Sequence, residues 1–332
     1  NKPAPVDNPS NEQPENTPSE EQNSSQESEI FENLYPEFIL EETNETVTYV
    51  DWEGEKTTIT KNPKKVVVLY NSILDLWYLA GGEAIARVKG TTNVPEAAMD
   101  ITNLGSWNKL SIETILSLEP DLVILTHNSD SQREFKEVLA QNGVEYALID
   151  ASTNAYQAFQ KNLYLFCKVL ENEDVYKDKV EPITEKCKAI IDKAKTVEEK
   201  PVVAVLYSTS RSVKTETENS LTGEMISLLG AENVVKAEDI PIEGETRIDF
   251  SMEVLAAKDP EYILISTMGD VEKCKERIAS EIESSSAWST LTAVKEGKIY
   301  YLPKEYSVYK PNAKYPEAFE YLAKILYPEA FN

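Results

Sequence analysis

The side chains best suited to hold a small molecule are Tyr70, Trp107, Tyr207, Arg211 and Arg247. Each joins an apolar or planar body to a polar tip, the composition that ligand pockets favour. Tyr70 and Asn71 directly follow the apolar run 66–69, and Tyr207 ends the similar run 203–206. Both tyrosines equally suit capping their strands. Trp107 lies in a polar loop, where a large apolar side chain needs a partner. Arg211 and Arg247 are scarce cations in an acidic chain. Either can bind a carboxylate or catecholate, or pair with the nearby Glu216 or Glu245. His127, the single histidine, follows the apolar run 122–125, and Met268 follows the run 262–265 in the same way. A loop histidine with satisfied hydrogen bonds and a ligand contact are both open to His127. Tyr306 follows the last apolar run of the C-terminal half.

Catalysis finds little support in these residues. There is no G-x-G-x-x-G after a strand, no P-loop and no G-x-S-x-G turn, and a Ser-His-Asp triad has only His127 to draw on. Cys167, Cys187 and Cys274 are odd in number and widely spaced, which fits neither a disulfide framework nor a zinc site. No metal site is expected.

The elements that must position these residues are legible as a repeat. Ser111, Glu113 and Pro120 recur as Ser251, Glu253 and Pro260, 140 residues on. Each copy reads as one α/β unit. The serine caps a short helix, the acid sits in its first turn, the proline ends it, and the next apolar run is a strand covered on both faces. Residues 66–72 resemble residues 203–209, and residues 79–83 resemble residues 228–232, in the same order. Such a period is far too long for a solenoid. The pattern predicts two doubly wound α/β lobes. In open α/β sheets ligands bind beyond the carboxyl ends of the strands, where all the residues above fall.

Length and charge set the remaining bounds. The chain has 332 residues and a net charge of −25, which argues against nucleic acid. Residues 1–45 hold twelve acids and one base. Residues 1–29 carry almost no large apolar side chains and cannot offset their ordering entropy. The expected division is a disordered acidic tether over 1–45, an N-terminal lobe over 46–173, a long connecting helix over 174–198 and a C-terminal lobe over 199–332. No stretch is apolar for long enough to span a membrane. Without an initial Met or a signal peptide, the sequence reads as a mature or trimmed chain.

Several motifs resemble a known family. They are the opening Asn62-Pro63-Lys64-Lys65-Val66-Val67-Val68-Leu69, the segment Leu104-Gly105-Ser106, Glu119-Pro120-Asp121-Leu122-Val123-Ile124, and residues 288–300. In order and spacing they are similar to the substrate-binding proteins of ABC importers of the ferric siderophore, haem and cobalamin class. The resemblance covers roughly residues 46–330. It implies two lobes joined by a rigid helix, a ligand cleft between them and no catalysis. It further implies a monomer that hands a ferric siderophore to a permease and its ATPase, with no resident cofactor. Glu113 and Glu253 match the acids that dock an arginine on each half of the permease. The location implied is extracytoplasmic, with a lipid anchor on the outer face of a Gram-positive membrane, although the lipidated cysteine is not in this sequence. Haem is an alternative cargo, since His127 and Met268 end equivalent strands and both residue types ligate haem iron. Cobalamin is another. The rival of a different class is a two-lobed α/β transferase, which the fold alone would allow.

Overall fold

The computed structural model describes residues 31–149, 154–240 and 245–332. The tether expected over residues 1–29 lies outside them. The chain opens with an antiparallel sheet of β1 (Ile39–Glu42), β2 (Thr46–Val50) and β3 (Lys56–Thr60). Period-two alternation buries Val47 and Tyr49 on β2 and Ile59 on β3. The expectation of a disordered tether as far as residue 45 is therefore corrected. Phe38 and Ile39 are buried, and β1 pairs with β2. Phe31 and Tyr35 pack edge-on against Tyr164. These aromatic and aliphatic side chains bury enough surface to order a stretch whose acidic composition reads as solvent-exposed.

The N lobe is a parallel sheet in the order β6-β5-β4-β7-β8. Its strands are β4 (Val66–Val68), β5 (Ala86–Arg87), β6 (Thr102–Asn103), β7 (Leu122–Thr126) and β8 (Glu145–Ile149), interleaved with helices α1 (Asn71–Leu79), α2 (Ile112–Leu116) and α3 (Asp130–Gln141). Between the lobes run α4 (Ala155–Val169), α5 (Glu173–Val175), a π-helical turn (Tyr176–Val180) and α6 (Glu181–Lys195). The single connecting helix expected over 174–198 is thus broken. Pro182 lies in the first turn of α6. Lacking an N–H, it cannot continue the preceding ladder, which accommodates the break as a π turn. It is α4 that touches both lobes, packing on α1 and β2 of the first and α7 of the second.

The C lobe contains β9 (Val202–Ser208), β10 (Val213–Glu216), α7 (Leu221–Leu228), β11 (Glu232–Asn233), β12 (Arg247–Asp249), α8 (Met252–Lys258), β13 (Tyr262–Thr267), α9 (Val271–Ile278), α10 (Thr292–Lys295), β14 (Ile299–Tyr301), α11 (Lys304–Ser307) and α12 (Tyr315–Leu326). Its sheet order is β12-β10-β9-β13-β14. The doubly wound expectation holds for the parallel strands β9, β13 and β14. It misses β10, which runs antiparallel to both β9 and β12. On one edge of β9, β11 occupies the first residues and β10 the last.

One apolar core runs through both lobes. It takes Val66, Val68 and Ile124 from the N-lobe sheet and Val203, Val205 and Leu264 from the C-lobe sheet, with α4, α6, α7 and α12 between. The outer faces of the two sheets have cores of their own.

The repeat unit forms as its sequence dictates. The Ser111 hydroxyl accepts from the Thr114 amide at 3.1 Å, and the Ser251 hydroxyl accepts from the Val254 amide at 3.3 Å. Ser251→Ala is expected to destabilise the fold by about 1 kcal/mol in urea titration, the usual effect of losing an N-cap. An unchanged midpoint would show that α8 starts without help from its cap.

Candidate functional site

β4 and β9 end at the same edge of the molecule, and each delivers a tyrosine there. Tyr70 has an extended backbone and serves as the N-cap residue of α1. Its ring meets Trp107 edge-on, with centroids 5.7 Å apart. Trp107 remains 37% exposed, whereas Trp77 is 1% exposed in the core. A buried side chain holds this pair in place. Gln132 on α3 donates to the carbonyls of Leu69 at 3.0 Å and Trp107 at 2.9 Å, and accepts from the Thr126 amide at 3.0 Å. One amide thereby ties the ends of β4 and β7 to the tryptophan loop.

Tyr70, Asn71, Trp107 and residues 88–93 line a cleft of about 190 Å³, and Tyr309 closes it from the C lobe. Gly90 is needed in this wall. Its φ of +131° disfavours other residues, and a Cβ there would lie 2.9 Å from the Asn71 amide nitrogen. Asn71 donates to the Lys89 carbonyl at 3.3 Å, while its oxygen is buried without a partner. Tyr309 reaches the N lobe because the next residues are fastened to it. Asn312 donates to the Ser72 carbonyl at 2.9 Å and to Asp75 at 2.8 Å, and Asn93 donates to the Lys310 carbonyl at 3.1 Å.

The C-lobe wall runs from Tyr309 to its neighbour Tyr207, outside the residues that line the cleft with Tyr70, and the Arg247 guanidinium is stacked 3.8 Å from the Tyr207 ring centre. Val205, two residues before Tyr207 on the same face of β9, belongs to the core shared with the N lobe, so this face looks inward. Burial pushes the Tyr207 phenol up, an effect that Arg247 partly offsets and Tyr309 reinforces. Burial pushes Tyr70 up as well. Both phenols are neutral at pH 7 and offer O–H donors and ring faces.

Not every expected residue joins this site. Tyr306 packs on Tyr321 of α12, with centroids 5.8 Å apart, and Tyr309 takes its place in the cleft. Tyr306 lies within α11, whereas Tyr309 lies two residues beyond its end. His127 lies away from the cleft lining. Its amide donates to the Ile149 carbonyl at 3.0 Å and its own carbonyl accepts from Arg133. Burial, then Arg133, holds its imidazole below the usual range, with Glu53 and Asp51 of the β2–β3 turn opposing. Met268 is 40% exposed at the end of β13 and lines no part of the cleft with Tyr70. Neither His127 nor Met268 is among the residues that line the cleft with Tyr70. Arg211 is exposed in the β9–β10 turn, where its amide donates to the Thr209 hydroxyl. Arg247 pairs with Glu216, one of the alternatives open in the sequence.

A family model described as a periplasmic binding protein matches residues 66–306. The chain belongs to the periplasmic binding protein family. Among its relatives are an ABC transporter substrate-binding lipoprotein of Bacillus subtilis (YvrC), 23% identical over 86% of this chain and 87% of that protein, and the Fe(3+)-citrate-binding protein YfmC of the same species, 29% identical over 75% of this chain and 76% of that protein. Solved structures share the fold. S. aureus IsdE complexed with heme superposes with a TM-score of 0.66 at 18% identity, covering 79% of this chain and 98% of that one. A substrate-binding protein from Listeria monocytogenes gives 0.67 at 21% identity, covering 81% of this chain and 100% of that one.

In this periplasmic binding protein, Glu113 and Glu253 are both exposed in the first turns of α2 and α8. Those turns share the carboxyl edge of the sheets with the cleft. The Ser111 hydroxyl donates to Glu113 at 2.7 Å and holds its carboxyl below the usual range.

Proposed function

We propose that this protein is the extracytoplasmic binding component of an ABC importer and that its cargo is a ferric siderophore. The observation that carries the reading is the cleft in which Tyr70, Trp107 and Tyr309 from the two lobes face one another at the carboxyl edge of the strands. Aromatic walls with a few convergent polar groups suit a bulky organic chelate whose metal is already fully coordinated. The relative that binds iron(III) citrate supports the same class of cargo. The chain acts as a monomer without a resident cofactor and performs no chemistry on its cargo. Glu113 and Glu253 dock the permease, whose ATPase drives import, and a lipid anchor holds the protein on the outer face of a Gram-positive membrane.

Tryptophan fluorescence tests the binding step. Trp107 is the cleft tryptophan, whereas Trp77 and Trp288 are buried. A ferric siderophore is expected to quench the emission of the wild type, and Trp107→Phe to remove most of that quenching. In parallel, a cargo present at about 100 times its dissociation constant adds roughly 2.7 kcal/mol of stability in a thermal shift. Stabilisation by haem or cobalamin alone would reassign the cargo. Turnover of an activated sugar would replace transport by the transferase reading.

A further inference from the structure

Among the described residues near the C-lobe wall, Glu216 is a deeply buried carboxylate, with its side chain 1% exposed. It stands at the end of β10, opposite Arg247 in the β10–β12 register. One of its oxygens accepts from Arg247 Nε at 3.1 Å and lies 3.1 Å from Nη2. The other accepts from the Ser220 hydroxyl at 3.3 Å. Ser220 is also the N-cap of α7, so the carboxylate is braced by an element that cannot move without disturbing the core. Arg247 is thus fixed on two sides, its edge on Glu216 and its face on Tyr207.

Such an arrangement shapes the ring stack but removes most of the charge. At a few ångströms a guanidinium and a touching carboxylate act as a dipole, whose field falls off faster than that of a lone cation. The next cation on this wall is treated in the same way, because Lys214 is paired with Asp249. Lys89 in the cleft lining and Arg211 in the β9–β10 turn are exposed, where water screens them. The chain as a whole carries −25, which repels polyanions at longer range. A wall meant for a highly charged anion would leave Arg247, whose side chain is 38% exposed, uncompensated.

We infer that Glu216 is a specificity-determining residue that cancels the charge of Arg247 and selects ferric chelates of low net charge over polyanionic ones. The inference rests on the ferric-chelate reading and names the class within it. Three hydroxamates cancel the ferric charge, whereas three catecholates leave the complex trianionic. The cargo is therefore of the hydroxamate type. Tyr207 and Arg247 offer it a flat, polarisable surface, and Glu216 discriminates against the catecholate type by repulsion, a gain in selectivity without a new attractive contact.

The test compares a neutral ferric tris-hydroxamate with a ferric tris-catecholate by fluorescence titration of the full chain. Wild type is expected to favour the hydroxamate by about a hundredfold or more, with an affinity nearly independent of salt. Glu216→Gln keeps the shape and an acceptor for Arg247 but removes the charge. It is expected to shift the preference toward the catecholate by about tenfold or more, and Arg247→Gln added to it is expected to reverse that gain. A wild type that prefers the catecholate overturns the inference, and this result needs no variant to fold. So does an unchanged ratio in a folded Glu216→Gln protein. Binding of neither chelate overturns the ferric-chelate reading itself, and the inference with it.

Discussion

Cells carrying Glu113→Ala together with Glu253→Ala are expected to lose uptake of the cargo, while the purified variant binds that cargo and melts as wild type does. Both acids are exposed in the first turn of a helix that starts at the carboxyl edge of its sheet. Neither lines the cleft between Tyr70, Trp107 and Tyr309. Each is placed to meet a cation on a partner without contact to the cargo. Losing one charge-assisted hydrogen bond costs about 1.5–3 kcal/mol, which is roughly a ten- to hundredfold loss in docking affinity. The two contacts are linked through one rigid body, so the second is made at high effective concentration once the first has formed. Removing both should therefore be far worse than removing either. Uptake is measured in cells with radiolabelled iron, and affinity and melting temperature on the same purified variant. Surviving uptake would reduce both acids to helix-start residues. A collapse in cargo affinity would mean that they face the cleft.

Glu42→Ala is expected to destabilise the fold by about 3–5 kcal/mol in urea titration, the usual effect of leaving buried charge unpaired. Glu42 closes β1, and its side chain is 9% exposed. One oxygen accepts from Lys61 at 2.9 Å and the other from Lys168 at 2.5 Å. The Lys168 side chain is fully buried and that of Lys61 is 4% exposed. Lys168 also donates to the Phe31 carbonyl at 2.7 Å and lies 4.0 Å from the centre of the Phe31 ring. Alanine would leave Lys168 without a carboxylate and Lys61 with only Glu171 at 3.7 Å. Adding Lys168→Met should recover part of the loss, because it removes the stranded charge and keeps the volume. A change below about 1 kcal/mol would show that β1 is peripheral after all.

The sequence by itself determined the repeat and the local elements built on it. Ser111 and Ser251 cap their helices, the runs after Pro120 and Pro260 are central parallel strands, and Tyr70 and Tyr207 stand at their carboxyl edge. These features depend on residues within a few positions of one another, so caps, breakers and apolar runs specify them. The tertiary structure alone decided the rest. Asn93 meets the Lys310 carbonyl across 217 residues, and Asn312 meets Asp75 across 237, and these contacts bring Tyr309 rather than Tyr306 to the cleft. Gln132 looks in sequence like any polar residue on an amphipathic helix, yet it is buried and fixes Trp107. Arg247 reads either as a ligand contact or as the partner of Glu216 or Glu245, and the β10–β12 pairing sets Glu216 against it. His127 reads either as a satisfied loop histidine or as a ligand contact, and its charged neighbours are Arg133 on α3 and, from an element distant in sequence, Glu53 and Asp51 of the β2–β3 turn. Residues 31–45 read as tether because composition counts their acids, while Lys61 and Lys168, which neutralise Glu42, lie 19 and 126 residues further on. Local physics fixes where a strand ends. The side chains that meet there are chosen by loops, and long-range contacts hold those loops in place.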